Sequence, residues 1–197
     1  MNFRDNTIGE YLRSPMKFYE QMKTEQDNMP TYVKLLGNFD VPDFNFDDLN
    51  VQDRTILTKY STDYGYNDNN AKLDMVEMQD LPKALVDVCS GFDVKLPNLT
   101  MSIQSPGNVV PAHVDTWKFW CDRYPKEMEQ YTFYDTKFYV WFLSDRDVGH
   151  TFQCGYNDIN WKKGDLVEIP FYTRHATSNA GYTDKLLIQC LGIQTIK

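Results

Sequence analysis

Three histidines, His113, His150 and His175, are the only imidazoles in the 197-residue chain, and all lie in its second half. His113-Val114-Asp115 places an imidazole and a carboxylate two residues apart, so on a β-strand both would project from the same face. His175, from a distant strand, would complete a set of two histidines and one carboxylate, which binds iron(II) and leaves coordination positions open. The sequence therefore predicts a metal site formed by His113, Asp115 and His175.

The segment after His175 adds a cation to this predicted site. Asn179-Ala180-Gly181 is a turn signal, and its centre lies five residues from both His175 and Lys185, so the two side chains can face one another. A cation near the metal suits a dicarboxylate that chelates the metal with its keto-acid end and pairs with Lys185 at its far end. The spacing predicts that Lys185 binds such a cosubstrate.

Together these features resemble the superfamily of 2-oxoglutarate- and iron(II)-dependent oxygenases. Its HxD motif stands here as His113-Val114-Asp115, its distal histidine as His175 after a Gly-Asp turn, and its basic residue as Lys185. Many members carry Arg at that last position. Lys keeps the positive charge but cannot form the two parallel hydrogen bonds that Arg makes to a carboxylate. The resemblance covers about residues 99–193 and implies a double-stranded β-helix, a cupin-like jelly roll, with Fe(II), 2-oxoglutarate and O2.

A looser resemblance, over residues 139–165, is to the aspartyl/asparaginyl β-hydroxylase branch. It implies that His150 and Gln153 lie in the pocket near the metal-side carboxylate of the cosubstrate. Tyr139 is either a core residue or a second hydrogen-bond donor to the far carboxylate. That branch tends to lack the carboxylate ligand that Asp115 supplies here.

Trp117, Arg123 and Arg146 are the candidate substrate contacts. Trp117 closely follows the HxD motif, where aromatic side chains on a loop contact substrate, form a lid, or pack beneath the loop. The two arginines can clamp a substrate carboxylate, and ordinary surface arginines are the alternative interpretation.

The elements that must position these residues are mainly strands. Short β-type runs separated by turn signals cover 99–104, 132–143, 151–154, 166–169 and 185–193, which is typical of an antiparallel sandwich or barrel. Earlier in the chain, apolar spacing predicts a helical segment over 8–22, interrupted by Pro15, and a helix over 81–88. We predict one domain, 1–197, in which a helical and loop brace (1–95) supports a jelly-roll catalytic core (96–197).

Composition restricts the class of partner and the location. The chain is 42% hydrophobic and 24% charged, as in globular proteins, and its net charge of -8 makes nucleic acid an unlikely partner. We expect no membrane partner and a cytoplasmic location, because no apolar run is long enough to span a bilayer. The abundance of Asp, Asn, Lys, Tyr and Phe suggests an AT-rich bacterial or phage genome, and therefore a bacterial or phage-infected host cell. The oligomeric state stays open.

The predicted activity is hydroxylation of a C–H bond in a peptide side chain, an amino acid or another small molecule, with release of succinate and CO2. Two alternatives remain open. One is a cupin-like metalloenzyme that does not use 2-oxoglutarate, and the other is a non-catalytic jelly-roll binding module. If the protein is a metalloenzyme that does not use 2-oxoglutarate, replacing Lys185 by Ala should change 2-oxoglutarate binding little. If it is a non-catalytic binding module, its function should survive replacement of His113 and His175 by Ala.

Overall fold

A computed structural model of the protein describes residues 5–13, 31–55, 65–115 and 118–195. In chain order, the strands are β1 (Lys34–Asn38), β2 (Gln52–Thr55), β3 (Lys72–Glu77), β4 (Val94–Gln104), β5 (Val109–His113), β6 (Thr136–Phe142), β7 (His150–Cys154), β8 (Asn157–Asp158), β9 (Asp165–Ile169), β10 (His175–Asn179) and β11 (Lys185–Gln194). The α-helices are short, and they are α1 (Ile8–Arg13), α2 (Lys83–Cys89) and α3 (Lys118–Arg123).

The strands form two antiparallel sheets that face one another. The larger sheet has the order β1-β9-β6-β11-β4-β3-β2, and the smaller has the order β5-β10-β7-β8. From β4 onward the chain passes repeatedly between the sheets, so that β4, β6, β9 and β11 alternate with β5, β7, β8 and β10. Eight strands interleaved in this way are a jelly roll, which confirms the predicted fold of the core.

β6 shows how the sequence divides its side chains between two apolar layers. Phe138, Val140 and Phe142 face the space between the sheets, whereas Tyr139 and Trp141 face the opposite side. Both groups are buried, which confirms that this apolar run is a strand covered on both faces.

The two layers form separate core clusters. The interior cluster fills the space between the sheets and includes Phe152, Val167, Phe171, Leu187 and Leu191. The outer cluster lies on the other face of the large sheet, where Leu85 and Cys89 of α2 pack against strand residues such as Met101, Ile103, Ile188 and Cys190. The large sheet is therefore enclosed between the barrel interior and the α2 layer.

The N-terminal region contributes more strand than expected, because β1, β2 and β3 extend the large sheet on its two sides. α2 coincides with the helix that the sequence predicts over 81–88. α1 covers the start of the segment predicted over 8–22, and the part from residue 14 onward lies outside the described residues. No helix in the described ranges combines the length and the apolar character that crossing a membrane requires.

One end of the barrel is closed by direct contact between two backbone turns. Gly149, before β7, has a φ of 86°, and its carbonyl oxygen accepts a hydrogen bond of 2.9 Å from the amide of Ala180. A Cβ atom on Gly149 would lie 2.5 Å from the carbonyl carbon of Ala180 and would overlap the amide nitrogen of Gly181. This close approach fixes the turn from which β11 begins, and Lys185 is the first residue of β11.

Candidate metal centre

The structure brings the three predicted metal ligands together. β5 and β10 are neighbouring antiparallel strands, and His113 stands directly opposite His175 in their register. The two imidazole centroids are 4.5 Å apart, and the ligand atoms of His113, Asp115 and His175 all lie within 4.8 Å of one another. Residues about 60 positions apart therefore meet at a single point.

Backbone carbonyls orient both imidazoles toward that point. The Nδ1 atom of His113 donates to the carbonyl oxygen of Pro111 (2.8 Å), and that of His175 donates to the carbonyl oxygen of Thr173 (3.1 Å). Since a carbonyl only accepts, each Nδ1 carries the proton and each Nε2 presents a lone pair in the neutral ring. The Nε2 atoms lie 3.2 Å and 3.3 Å from the two carboxylate oxygens of Asp115.

Two buried atoms at this centre have no hydrogen-bond partner among the described residues, Oδ2 of Asp115 and Nε2 of His175. Buried polar atoms in folded proteins are almost always paired, so two orphans that face one another need a shared partner. A divalent cation would satisfy both. Two imidazoles and one carboxylate are a donor set that suits non-haem iron(II), so the residues present fit this metal.

The charges at the centre favour an ionised carboxylate. Burial opposes ionisation of Asp115, but attraction to the protonated forms of the two adjacent imidazoles outweighs it and holds the pKa of this carboxyl well below its usual range. Burial alone would lower the pKa of His113, but the hydrogen bond and charge of Asp115 raise it above its ordinary value. Asp115 therefore supplies a negative charge to any bound cation.

Apolar walls enclose the His175 side of the centre. The ring of His175 lies parallel to that of Phe152, with centroids 6.1 Å apart, and edge-on to Phe138 at 6.0 Å. His175 is 2% exposed, whereas the side chains of His113 and Asp115 keep about a quarter of their surface accessible. The centre is thus closed at β10 and open at the end of β5, where a ligand can enter.

Lys185 is a buried cation on the inner face of the large sheet, 1% exposed. Its ammonium group donates to the carbonyl oxygens of Thr151 (2.7 Å) and Ser178 (3.0 Å) and to the hydroxyl of Thr177. No carboxylate in the described residues forms an ion pair with it. Burial, with a smaller contribution from the charge of Arg146, lowers the pKa of Lys185 to about 7.

Thr177 relates Lys185 to the metal ligands. Thr177 and His175 lie on the same face of β10, two residues apart, which corresponds to roughly 6–7 Å along a strand. The Lys185 ammonium group donates to the Thr177 hydroxyl, so it lies on the inner side of the barrel, one same-face position along β10 from His175. The role of Lys185 in binding a cosubstrate stays a prediction.

Sequence reasoning missed Gln104, which stands opposite Lys185 in the β4–β11 register. Its side-chain oxygen accepts from the hydroxyl of Thr177 (3.1 Å), and its amide nitrogen donates to the Thr177 carbonyl (3.1 Å). Alternation of polar and apolar residues over 98–104 was the available signal. Such a pattern usually places polar residues toward solvent, but here α2 covers the apolar face and the polar face lines the barrel.

Three of the expected cosubstrate residues are placed away from the cluster of His113, Asp115 and His175. Gln153 is exposed on the outer face of β7, and Tyr139 packs against Phe92 in the outer cluster with centroids 6.1 Å apart. His150 is buried, but its Nε2 donates to the Thr183 carbonyl (2.9 Å) and its Nδ1 accepts from the Asp147 amide (3.2 Å). The expectation that these residues bind the cosubstrate is therefore wrong for this structure. Strand alternation directs Gln153 and Tyr139 outward, and both ring nitrogens of His150 are used in hydrogen bonds with backbone groups of nearby loops.

The candidate substrate residues do not gather at one surface. Trp117 lies outside the described residues. Arg123 is exposed on α3, where it contacts the sulfur of Met78 (2.8 Å) and the side-chain oxygen of Gln79 (3.4 Å). Arg146 pairs with Asp158 (2.8 Å) and donates to the carbonyl of His150 (3.1 Å), so its guanidinium group holds loops together, contrary to the expected substrate role.

Comparison with known proteins gives distant likeness only. No family model matches the chain, and no curated protein has a significantly similar sequence. Among solved structures, a protein described as a predicted oxalate decarboxylase from Thermotoga maritima is 15% identical, covering 62% of this chain and 81% of its own, with a TM-score of 0.38.

Two further solved structures carry cupin descriptions. A cupin 2 conserved barrel domain protein from Salinispora arenicola is 11% identical over 61% of this chain and 75% of its own, with a TM-score of 0.37. A sugar phosphate isomerase of the cupin superfamily from Silicibacter pomeroyi is 8% identical over 77% of this chain and 75% of its own, with a TM-score of 0.42. At these scores the fold rests on the strand order of this chain, and the resemblance to 2-oxoglutarate oxygenases stays a prediction.

Proposed function

We propose that the protein is an Fe(II)- and 2-oxoglutarate-dependent oxygenase that hydroxylates a C–H bond of a peptide side chain, an amino acid or another small molecule. In the overall reaction one atom of O2 enters the new hydroxyl group and the other enters succinate, while 2-oxoglutarate loses CO2. The observation that carries the proposal is the buried Lys185, which pairs with no carboxylate of the described residues and bonds Thr177, two residues from His175 on the same face of β10.

His113, Asp115 and His175 would hold the metal through Nε2, a carboxylate oxygen and Nε2. Iron(II) bound there would supply the oxidative chemistry at the coordination positions that these three ligands leave open. The carbonyls of Pro111 and Thr173 keep the imidazoles in the ligating tautomer. Phe138 and Phe152 exclude water from the His175 side.

Lys185 would bind the far carboxylate of 2-oxoglutarate. A buried cation is costly unless it is paired, and a ligand carboxylate would provide the charge partner that the described residues do not. The diacid would replace at least one acceptor that Lys185 now uses.

The test is anaerobic addition of 2-oxoglutarate to the Fe(II)-loaded protein while recording the metal-to-ligand charge-transfer absorption. We expect a band in the wild-type protein, no band in His175→Ala, and at least tenfold weaker 2-oxoglutarate binding in Lys185→Ala. Lys83→Ala, at an exposed lysine of α2, is the matched control and should bind like wild type. Folded, metal-loaded wild-type protein without a band would overturn the proposal.

One observation favours the second candidate, a cupin-like metalloenzyme that does not use 2-oxoglutarate. All three hydrogens of the Lys185 ammonium group already have acceptors, from Thr151, Thr177 and Ser178, so the cation has a purely internal set of hydrogen bonds. Under this candidate, Fe(II) still binds to His113, Asp115 and His175, but replacing Lys185 by Ala leaves the binding of 2-oxoglutarate unchanged. Calorimetric titration of the metal-loaded protein with 2-oxoglutarate separates the two.

A further inference from the structure

β4 bulges near its start, where it pairs with β11. Two consecutive residues of β4, Leu96 and Pro97, face the single residue Gly192 of β11, which is the pattern of a β-bulge. Leu96 has a φ of 53°, a left-handed conformation that costs free energy in any residue with a side chain. The bulge interrupts the ladder of backbone hydrogen bonds, so the carbonyl groups of Leu96 and Pro97 are available to groups outside the sheet.

Side chains from α3 bind both of these carbonyl groups. The indole Nε1 of Trp120 donates to the carbonyl oxygen of Leu96 (2.7 Å). The hydroxyl of Tyr124, the residue that follows α3, donates to the carbonyl oxygen of Pro97 (3.1 Å). The amide of Tyr124 donates to the carbonyl of Trp120 (3.2 Å), so the two donors stand one helical turn apart on the same face. Trp120 is fully buried in the interior cluster, and α3 is thereby fixed to the bulge.

α3 is also the element that follows Asp115 in the chain. β5 ends at His113 and α3 begins at Lys118, so Asp115 lies in the short connection between them. Three residues separate the positions of Asp115 and Lys118, which limits the distance between their Cα atoms to about 11 Å even in an extended chain. The position of Asp115 is therefore closely tied to the position of α3.

The carboxylate of Asp115 depends on its backbone for its position. No described residue donates a hydrogen bond to its Oδ2 atom. The atoms that face the two carboxylate oxygens are the Nε2 atoms of His113 and His175, and in the neutral tautomer these carry no proton. The backbone must then place the carboxylate, and β5 holds that backbone on one side and α3 on the other.

We propose that Trp120 and Tyr124 are positioning residues for Asp115, because they fix α3 to the bulge of β4 and so hold the carboxylate where the two imidazoles meet. This inference rests on the metal-binding part of the proposed function and extends it beyond the three ligands. The strained backbone at Leu96 then has a role, since the bulge directs two carbonyl groups toward α3. If α3 were not fixed, Asp115 would have to be ordered when the metal binds, and that cost would lower the affinity.

The experiment measures Ni(II) affinity by calorimetric titration, because Ni(II) binds imidazole well and is stable in air. Trp120→Phe keeps an aromatic ring in the interior cluster and removes the donor to Leu96. We expect roughly tenfold weaker Ni(II) binding, in the range of losses that follow removal of a group that supports a metal ligand. Tyr124→Phe removes only a hydroxyl group and should weaken Ni(II) binding roughly threefold.

Trp161→Phe is the matched control. Trp161 also belongs to the interior cluster, and its Nε1 also donates to a backbone carbonyl, that of Ser144 (3.1 Å). It stacks on Phe142, four residues along β6 from Phe138, the residue that contacts His175. The two tryptophan substitutions remove the same kind of hydrogen bond, and only the one in α3 should change Ni(II) affinity. An equal loss of affinity in Trp161→Phe would overturn the inference.

The same substitution in Asp115→Ala tests whether Trp120 acts through Asp115. Two imidazoles remain to bind Ni(II), more weakly, and Trp120→Phe should cause no further loss there. A tenfold loss in both backgrounds, or unchanged affinity in the single variant, would overturn the inference. If circular dichroism shows that Trp120→Phe does not fold, Tyr124→Phe is judged by the same comparison. Folded wild-type protein that does not bind Ni(II) would instead overturn the proposed metal site.

Discussion

The Lys185 ammonium group donates to the hydroxyl of Thr177, and Thr177 lies two residues from His175 on the same face of β10. One strand thus positions both His175, a predicted metal ligand, and the Thr177 hydroxyl that accepts a hydrogen bond from Lys185. A change in the conformation of β10 would move both anchors of the proposed ligand together. Predictions about the site therefore need controls that separate local chemistry from the folding of this strand.

Metal binding should stabilise the fold. Oδ2 of Asp115 and Nε2 of His175 are buried without partners among the described residues, and a cation bound only by the folded chain adds about 2.7 kcal/mol at a concentration roughly 100 times its dissociation constant. Thermal unfolding with Fe(II), or with Mn(II) as an air-stable substitute, should show a raised melting temperature that a chelator reverses. His175→Ala and Asp115→Ala should abolish the shift, and a shift that survives both changes would place the metal elsewhere.

The stability of the metal-free protein should depend on pH through Lys185. Its pKa of about 7 in the folded chain lies below the ordinary value of 10.5, so between these pH values the unfolded chain binds the extra proton. The free energy of unfolding should therefore rise as pH increases from about 7 toward 10, and the penalty should be largest below about pH 7. Urea unfolding of wild type and Lys185→Met at several pH values measures this contribution.

Lys185→Met removes the titrating group while keeping a long unbranched side chain. The variant should show a flatter dependence on pH than the wild type over this range, whatever its absolute stability. Identical slopes would mean that Lys185 keeps an ordinary pKa in the folded chain. Lys83→Met, at an exposed position, should behave like the wild type.

Gly149→Ala should destabilise the fold by about 2 kcal/mol or more, because it combines a left-handed backbone conformation with overlap against Ala180 and Gly181. Gly107→Ala is the matched control, since Gly107 has a φ of 87° but no described atom within 4 Å of an added Cβ. The difference between the two variants in chemical denaturation measures the contact between the turns. Equal losses would show that the conformation alone accounts for the effect.

Trp161→Ala should cost about 3–5 kcal/mol of stability, as large aromatic truncations in cores do. The Trp161 ring stacks on Phe142 with centroids 4.4 Å apart and 10° between the planes, and its Nε1 donates to the Ser144 carbonyl (3.1 Å). Trp161→Phe should retain most of the packing and lose about 1 kcal/mol for the hydrogen bond. Denaturant unfolding checks both, and a small loss in the Ala variant would contradict the packing argument.

The cluster of His113, Asp115 and His175 was predictable because histidine is rare in this chain and two of the three residues are close together in the sequence. His113 and Asp115 share a face through the two-residue repeat, and His175 is the histidine that follows a Gly-Asp turn and an apolar strand. The sequence does not indicate that β5 and β10 are adjacent strands of one sheet. Only the folding of the whole jelly roll places His113 opposite His175.

The incorrect predictions for Tyr139 and Gln153 share a physical cause. The sequence of a strand shows that its side chains alternate between two faces, but not which face points into the barrel. β6 is apolar on both faces, so nothing in its sequence indicates that Tyr139 faces outward and Phe138 inward. Gln153 lies on the solvent-exposed outer face of its strand. A resemblance in the order of residues to the β-hydroxylase branch cannot show which face of a strand is exposed. The phase is set by tertiary packing, chiefly by which side of a sheet another layer covers.

The two-faced pattern of β4 has a consequence for folding fidelity. A slip of one residue against β11 would turn Met101 toward the barrel interior and place Ser102 beneath α2, exchanging the environments of the whole strand. A chain misaligned in this way would bury polar groups in the α2 layer and turn thioether and alkyl groups toward the barrel interior. Recovery of the proposed 2-oxoglutarate binding after refolding would therefore measure the fraction of chains in which β4 and β11 are correctly aligned.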